Sequence, residues 1–212
     1  MRGTLQRRQP GLSVVVENVN DAHNVSAMLR SCDAVGASEA HLVYTIEELP
    51  EISGGVAASA QRWLDIRSHA SIPVCYDTLR AAGMAIYATS LTHAARDLYE
   101  LDLTQPCAFV FGNESRGVSP DAVERADAVV YIPMMGMVES LNVSVACSVA
   151  LYEALRQRQA AGMYARPSWS EDELNQRLRS WLEREGRDPE SVTAPVADEI
   201  PKPRNRYEYR GH

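Results

Sequence analysis

The chain has 212 residues, of which 45% are hydrophobic, so it can bury one substantial core or a core with an appendage. Its formal net charge of −7 argues against a protein that coats nucleic acid indiscriminately. No apolar run approaches a membrane span and the N-terminus lacks the apolar segment of a signal peptide, so we expect a cytoplasmic protein.

The cysteines, the histidines and the charged residues near the two ends indicate which kinds of site to expect. The four cysteines lie far apart within apolar segments, which predicts buried free thiols, and the five scattered histidines show no metal-ligand spacing, so we predict no metal. Basic residues gather at the two ends, namely Arg2, Arg7 and Arg8 near the start and Lys202, Arg204, Arg206 and Arg210 near the finish. Basic ends on an acidic protein could bind a polyanion such as RNA at a few points. An equally good interpretation is that they are solvated tails whose charge has no function.

The first elements alternate between strand and helix. Residues 12–16 form a continuous apolar run, which predicts a strand buried on both faces. A helix with Asn24 as its N-cap and Gly36 at its end follows, and residues 41–44 predict the next strand. The polar loop after the first strand lies where ligands bind in open α/β sheets.

The same alternation continues along the middle of the chain. Residues 47–71 are weakly informative, and within them residues 58–66 suggest a helix followed by a short strand. We predict helices over 72–83 and 121–126, and strands over 84–89, 107–111 and 128–132. This order predicts an α/β domain with a mainly parallel sheet and flanking helices.

The stretch 129–159 is the most informative part of the sequence. A strand breaks at Pro133, a turn rich in Met and Gly follows, and a helix begins near Leu141 or Asn142. The first half of that helix leaves almost no polar face, which predicts burial on all sides. Glu139 and Ser140 precede it, where unpaired N–H groups favour a polar site, although a core helix with an ordinary cap gives the same pattern.

Two other segments bear on function and domain organisation. Residues 112–117 form a glycine-bounded loop that is neither a P-loop nor GxGxxG, so a dinucleotide-dependent oxidoreductase is poorly supported. Ser170 and Glu173 form a capping box before an amphipathic helix that ends at Gly186, and the prolines beyond favour an extended or disordered tail. We therefore divide the chain into a basic N-terminal segment (1–11), a main domain (12–160) and a C-terminal helical extension with a flexible tail (161–212).

Three segments resemble the signature motifs of one enzyme family when they are taken together and in order. They are Asn24 and Arg30 followed by CDAVG, then FGNESRG, and finally IPMMGMVESLNVSVACSVALYEALRQ. These resemble the motifs of the TrmH family of SPOUT-class RNA methyltransferases. The resemblance implies a C-terminal deep trefoil knot, a rare exception to the rule against knots, and a homodimer.

The resemblance also implies a reaction and a set of site residues. The reaction is transfer of the S-adenosylmethionine (SAM) methyl group to a ribose 2′-hydroxyl, with guanosine 18 in the tRNA D-loop as the expected target. Another tRNA position, rRNA, or a non-catalytic RNA-binding protein are the alternatives. The implied catalytic residues are Arg30, Asn24, Glu114, Ser140 and Asn142; the SAM pocket would use Thr89, Gly112, Asn113, Ile132, Met137 and Leu141; RNA would contact Arg7, Arg8, Arg30 and Arg116.

Within the family the arginine is proposed to deprotonate the hydroxyl with help from a substrate phosphate. A guanidinium has a pKa above roughly 12, so it is a poor base near neutrality. The alternative is that Arg30 stabilises the developing alkoxide and holds the phosphate.

Overall fold

Strands and helices alternate along residues 1–51, 62–91 and 94–189, which the computed structural model describes. The strands are β1 (Leu12–Glu17), β2 (Glu39–Val43), β3 (Asp65–His69), β4 (Ala85–Thr89), β5 (Arg96–Asp97), β6 (Cys107–Phe111) and β7 (Ala128–Tyr131). The helices are α1 (Arg2–Leu5), α2 (Ala22–Val35), α3 (Ile72–Ala81), α4 (Pro120–Arg125), α5 (Val143–Ala160) and α6 (Glu171–Arg184), with 3-10 turns at Leu98–Glu100 and Met163–Ala165. Among these described helices, none has the length and apolar character needed to cross a membrane.

The described strands form one seven-stranded sheet in the order β3-β2-β1-β6-β4-β7-β5. Every pairing is parallel, and the central pair β1–β6 runs in register from Leu12 opposite Cys107 to Val16 opposite Phe111. The prediction of an α/β domain with a mainly parallel sheet is confirmed. The trefoil knot stays a prediction.

The central strands are apolar throughout because helices cover both faces of the sheet. On one face Val14, Val16 and Phe109 pack beneath α2 and α5, and on the other Val15 and Val110 pack beneath α3 and α4. The four cysteines are buried within these two layers and are free thiols, as predicted.

Helix α2 shows one error in the predicted capping. The helix starts at Ala22, and Asp21 is its N-cap because the Asp21 side chain accepts a 2.8 Å hydrogen bond from the backbone N–H of His23. The expectation that Asn24 caps the helix is wrong, since Asn24 lies inside the first turn and its side chain is used elsewhere. Gly36 ends the helix with a left-handed φ of 84°, as predicted.

Helix α5 begins where the sequence predicts, but its surroundings differ. Asn142 caps it by accepting hydrogen bonds from the N–H groups of Ser144 and Val145, at 2.9 and 3.4 Å. Burial on all sides is wrong for the single chain, because Val145 and Tyr152 are 47% and 53% exposed. The sheet and α2 cover only one side of the helix, so its other apolar side faces outward.

The two ends of the described chain pack together. Leu5 of α1 is buried against the apolar face of α6, formed by Leu174, Leu178, Trp181 and Leu182. The predicted capping box between Ser170 and Glu173 is present. The predicted strand before α3 is found as β3, whereas most of the helix suggested before it, and the tail from residue 190 onward, lie outside the described residues.

Candidate active site

A cavity of about 520 Å³ opens at the carboxyl ends of β4, β6 and β7. Its walls come from the residues that follow these strands and from the turn that leads into α5. Parallel strands end at a common edge, so short loops from distant parts of the chain meet there. This is the place where an open α/β sheet offers a ligand both backbone groups and apolar walls.

Most of the residues expected to bind a cofactor line this cavity. Those that do are Thr89, Gly112, Asn113, Ile132 and Leu141. Met137 does not, because it projects from the turn and is 99% exposed. Ser90, Leu91 and Met134 also line the cavity, and the sequence signal for them is only that they adjoin the ends of strands or the turn.

The glycine-bounded loop after β6 is held in one shape by Asn113. Its side-chain oxygen accepts hydrogen bonds from the N–H groups of Ser115 and Arg116, at 2.9 and 3.1 Å. Its amide group donates 2.9 Å to the carbonyl of Asn18 in the loop after β1. Both ends of this side chain are therefore occupied, and its contribution to the cavity is to fix the loop.

Asn18 is a site-shaping residue that the motifs do not mark. It is the non-glycine residue with a positive φ, 50°, among those described. Its side-chain oxygen accepts from the N–H groups of Thr45 and Ile46, at 2.9 and 3.1 Å, which ties the loops after β1 and β2 together. An asparagine just after a buried strand is the available sequence signal, because asparagine tolerates the left-handed region.

Three polar side chains from the three motifs form a chain of hydrogen bonds beside the cavity. Asn24 donates to Glu114 at 2.9 Å, across 90 residues of sequence. Asn142 donates to the side-chain oxygen of Asn24 at 3.1 Å, across 118 residues. We call Glu114, Asn24 and Asn142 the polar relay, and it links α2, the β6 loop and the start of α5.

Glu114 is kept ionised within this relay. Partial burial raises the pKa of its carboxyl group, but hydrogen bonds from Asn24 and from the backbone N–H groups of Asn20 and Asp21 lower it more, so the net pKa lies below the ordinary value. Those backbone bonds are 3.1 and 3.2 Å long and lie at the start of α2. A negative charge there also suits the helix dipole.

The two remaining expected catalytic residues, Ser140 and Arg30, are not members of the relay. Ser140 lines the cavity just before Asn142. Arg30 lies on α2 and is exposed, and among the described residues its guanidinium has no hydrogen-bonding or ion-pair partner. Its five N–H donors thus remain available to an incoming ligand.

The arginines expected to contact RNA differ in accessibility. Arg116 is exposed and pairs with Glu47, and Arg7 is half-buried. Arg8 is only 1% exposed, because it pairs with Asp33, donates 2.7 Å to the carbonyl of Ala37 and lies over the ring of Trp181. A phosphate cannot reach Arg8 in this arrangement, so its expected RNA contact is replaced by a structural role.

The comparison with protein families decides the identity of the fold. The sequence pattern of the SpoU rRNA Methylase family matches residues 11–152. The chain belongs to the SpoU methylase family. The matched region includes every strand that the structure describes and all residues that line the cavity, so family membership and site geometry concern the same residues.

Individual relatives and solved structures are similar to this SpoU methylase over most of its length. The tRNA (guanosine(18)-2′-O)-methyltransferase of Thermus thermophilus is 46% identical over 181 residues, which is 84% of this chain and 91% of the relative. The crystal structure of the A. aeolicus TrmH/SpoU tRNA modifying enzyme superposes with a TM-score of 0.81 at 40% identity, covering 87% of this chain and 93% of that one. The SpoU methyltransferase AviRb from Streptomyces viridochromogenes, solved in complex with AdoMet, has a TM-score of 0.64 at 29% identity and covers 72% and 60%. The family resemblance carried by the three motifs is confirmed.

Proposed function

We propose that this SpoU methylase transfers the methyl group of SAM to the 2′-hydroxyl of guanosine 18 in the D-loop of tRNA. One observation carries the proposal: residues of three separated motifs form a single polar relay at the edge of one cavity. The products would be the 2′-O-methylnucleotide and S-adenosylhomocysteine. The similarity to a relative named for this reaction supports guanosine 18 as the target.

The cavity suits a ligand with an apolar body and several polar groups. Leu98, Val130, Ile132 and Leu141 offer apolar walls, while the loops after β4 and β6 offer backbone donors and acceptors. A volume of about 520 Å³ lies within the range of small-molecule sites. The related AviRb structure with AdoMet supports SAM as the occupant.

The reaction needs a ribose hydroxyl to attack a methyl group whose sulfonium carrier leaves as a neutral thioether. A hydroxyl is a weak nucleophile until its proton has an acceptor. Arg30 is exposed on α2, the helix that also carries Asn24 of the relay, and we assign it to hold a substrate phosphate and stabilise the developing alkoxide. The proton then passes to the phosphate or to solvent, since a guanidinium rarely acts as a base.

The relay would position Arg30 and the ribose hydroxyl, and its own side chains would take no part in making or breaking bonds. Glu114 fixes the start of α2 through three hydrogen bonds, and Asn142 joins that helix to the start of α5. Ser140 and Glu139 face the same cavity and would orient the ribose. A displacement of the attacking oxygen by about 1 Å can cost roughly 10²-fold in rate, so this anchoring matters.

We also propose that the enzyme acts in the cytoplasm as a homodimer. The outward side of α5 and the turn before it expose Met135, Met137, Val138, Val145 and Tyr152. Apolar groups concentrated in this way beside a cavity favour burial against a partner. A second copy packed here would complete the rim of the site.

For RNA binding we propose contacts at chosen points around the site. Arg30 is exposed on α2, Arg116 is exposed in the loop after β6, and Arg7 lies near the N-terminus. The basic residues of the tail, from Lys202 to Arg210, would add affinity that the acidic body lacks.

The proposed function is tested by methyl transfer from labelled SAM to an unmodified tRNA transcript and to a matched transcript with guanosine 18 replaced. We expect incorporation into the first and none into the second. Incorporation into both would show an enzyme with another site. Absence from both, despite SAM binding, would point to another RNA or to a binding protein without catalysis.

A further inference from the structure

Three side chains that ligate metals well meet on the sheet face covered by α3, away from the cavity. They are His41 in β2, His69 at the end of β3 and Cys75 in α3, and one ligand atom from each lies within 4.8 Å of the others. His41 and Cys75 are fully buried, while His69 is partly exposed. Spacing along the sequence predicts no metal, but the fold brings together residues that the spacing separates.

The two histidines face each other through their ring nitrogens. Nδ1 of His41 and Nε2 of His69 are 2.8 Å apart, with the ring centroids separated by 5.1 Å and the planes inclined by 22°. In the described structure Nε2 of His41 is buried and has no hydrogen-bonding partner. The Glu39 carboxylate lies 3.6 Å from that nitrogen.

These contacts select one tautomer of His41. A hydrogen on Nε2 points toward the negative Glu39, whereas a lone pair there would face it and be repelled. The lone pair of His41 therefore lies on Nδ1, directed toward His69. A carboxylate behind a histidine whose other nitrogen faces a shared centre is the usual outer arrangement of a metal-binding histidine.

We propose that His41, His69 and Cys75 form a site for a zinc-type transition-metal ion, with Glu39 orienting His41. Two imidazole nitrogens and one thiolate are a donor set that zinc favours, and solvent beside the partly exposed His69 can supply the fourth ligand. The site would join the edge strand β3 to β2 and to the helix above them. It is remote from the methyl-transfer cavity and adds a property that the proposed function does not require.

Metal binding changes the protonation of Cys75. A thiolate, and not a thiol, ligates the metal, so binding releases the Cys75 proton to solvent while a sulfur lone pair forms the new bond.

Binding requires a small movement of His69. Zinc–nitrogen bonds of about 2.0–2.1 Å in a tetrahedral site hold two nitrogens about 3.3 Å apart, so the present hydrogen-bonded pair must open and the rings must turn. His69 is the one able to turn, because it ends the edge strand and is partly exposed. His41 is fixed by burial.

The first test is a titration of the metal-free full-length protein with Co²⁺, followed by absorption spectroscopy. We expect one ion per chain, with a thiolate-to-cobalt charge-transfer band and the d–d bands of a tetrahedral site. The band should vanish in Cys75→Ala and persist in Cys32→Ala, a matched control because Cys32 is also a buried helical cysteine. Absence of the band in the wild type, or its survival in Cys75→Ala, would overturn the site.

A second measurement, the change in Tm on adding zinc, tests the site even if Cys75→Ala folds poorly. Zinc should raise the Tm of the wild type and of His23→Ala, an exposed control, and should leave the Tm of His69→Ala unchanged. Glu39→Gln should weaken the affinity for Co²⁺ by roughly 10- to 100-fold while retaining the band. Equal zinc effects on the wild type and His69→Ala would show that the histidine pair is a hydrogen bond alone.

Discussion

At the scale of single residues, the site depends on a few side chains whose partners lie far away in sequence. Arg30 is the exception, since it is exposed on the same helix as Asn24 and, within the described residues, has no partner. A side chain of that kind contributes little to folding. We propose that its contribution is to the reaction.

Arg30→Ala and Arg30→Lys should both lose most methyl transfer, by roughly 10²–10³-fold in kcat, because a positioned charge-stabilising donor is removed or displaced. SAM affinity should remain close to that of the wild type, as measured by calorimetry. Arg125→Ala is the control, since Arg125 is an exposed arginine paired with Asp121 on α4. Near-normal turnover in Arg30→Ala would contradict the assigned role.

Asn142 has two functions that substitutions can separate. Asn142→Ala removes the N-cap of α5 and should reduce the free energy of unfolding by about 0.5–2 kcal/mol, together with activity. Asn142→Asp keeps a capping oxygen but removes the amide donor to Asn24. Chemical denaturation should find the Asp variant as stable as the wild type, while the methylation assay should find it impaired; full activity would show that the relay is dispensable.

Glu114 gives a prediction about pH. Its folded pKa is depressed, so its charge stabilises the fold above the ordinary value of 4.5 and this contribution is lost as the pH falls through the folded pKa. The difference in unfolding free energy between the wild type and Glu114→Gln should be constant near neutrality and should shrink below pH 4.5. Denaturant titrations at several pH values measure it, and a difference that grows on acidification would contradict the sign.

At the scale of elements, the loop after β6 depends on close backbone packing. A Cβ atom added at Gly112 would overlap the carbonyl group of Gly117, so the loop cannot close around any larger residue there. At Gly136, in the turn before α5, an added Cβ meets nothing within 4 Å. The two glycines therefore make a matched pair.

Gly112→Ala should lower the Tm and abolish SAM binding, because the loop must shift away from the cavity. Gly136→Ala should leave the Tm within error of the wild type. Differential scanning calorimetry and a SAM-binding titration make the comparison. If the two variants had the same Tm and the same SAM affinity, the loop after β6 would have room for a Cβ atom at Gly112, and this account of the loop would be wrong.

The sequence was sufficient for elements whose causes are local. The apolar runs of β1 and β6, the glycine after α2 and the capping box of α6 all depend on neighbours in sequence, and they are found where they were predicted. The predicted capping role of Asn24 was wrong because a polar residue near a helix start suits a cap as well as it suits a site. Its real partners, Glu114 and Asn142, are distant residues that only the fold brings near.

The same limit applies to charge and to exposure. The sequence near Arg8 predicts an exposed basic segment. The neighbouring residues do not indicate that Asp33 and Trp181, which are distant in sequence, will enclose the Arg8 side chain. His41 and His69 look scattered for the same reason, since the parallel pairing of β2 with β3 places them on adjacent strands, two residues apart in register, where their rings meet. Met137 matches a motif position but projects outward, because a motif fixes residue order and not direction.

At the scale of the whole molecule, the outward side of α5 is an apolar surface that the described part of the chain leaves uncovered. A helix apolar on nearly all sides is unusual on a monomer, and here one side is buried by the sheet while Val145 and Tyr152 remain exposed. This contrast is the physical basis for the proposed dimer.

Val145→Glu should convert the proposed dimer into a monomer and should reduce methyl transfer, because a charge is introduced into an apolar interface and the rim of the site is lost. Glu124→Lys, on the short helix α4, is a control that changes charge elsewhere. Sedimentation analysis at several concentrations reports the assembly state. A wild type that sediments as a monomer at all of them would contradict the dimer.

The most direct measurement for the whole account is the position of the methyl group in the product RNA. A tRNA transcript incubated with the full-length protein and SAM is digested with a nuclease, and the fragments are sequenced by mass spectrometry. The account predicts one 2′-O-methyl group, on guanosine 18, and its absence when Arg30→Ala replaces the wild type. A methyl group on a base, or at another nucleotide, would contradict it.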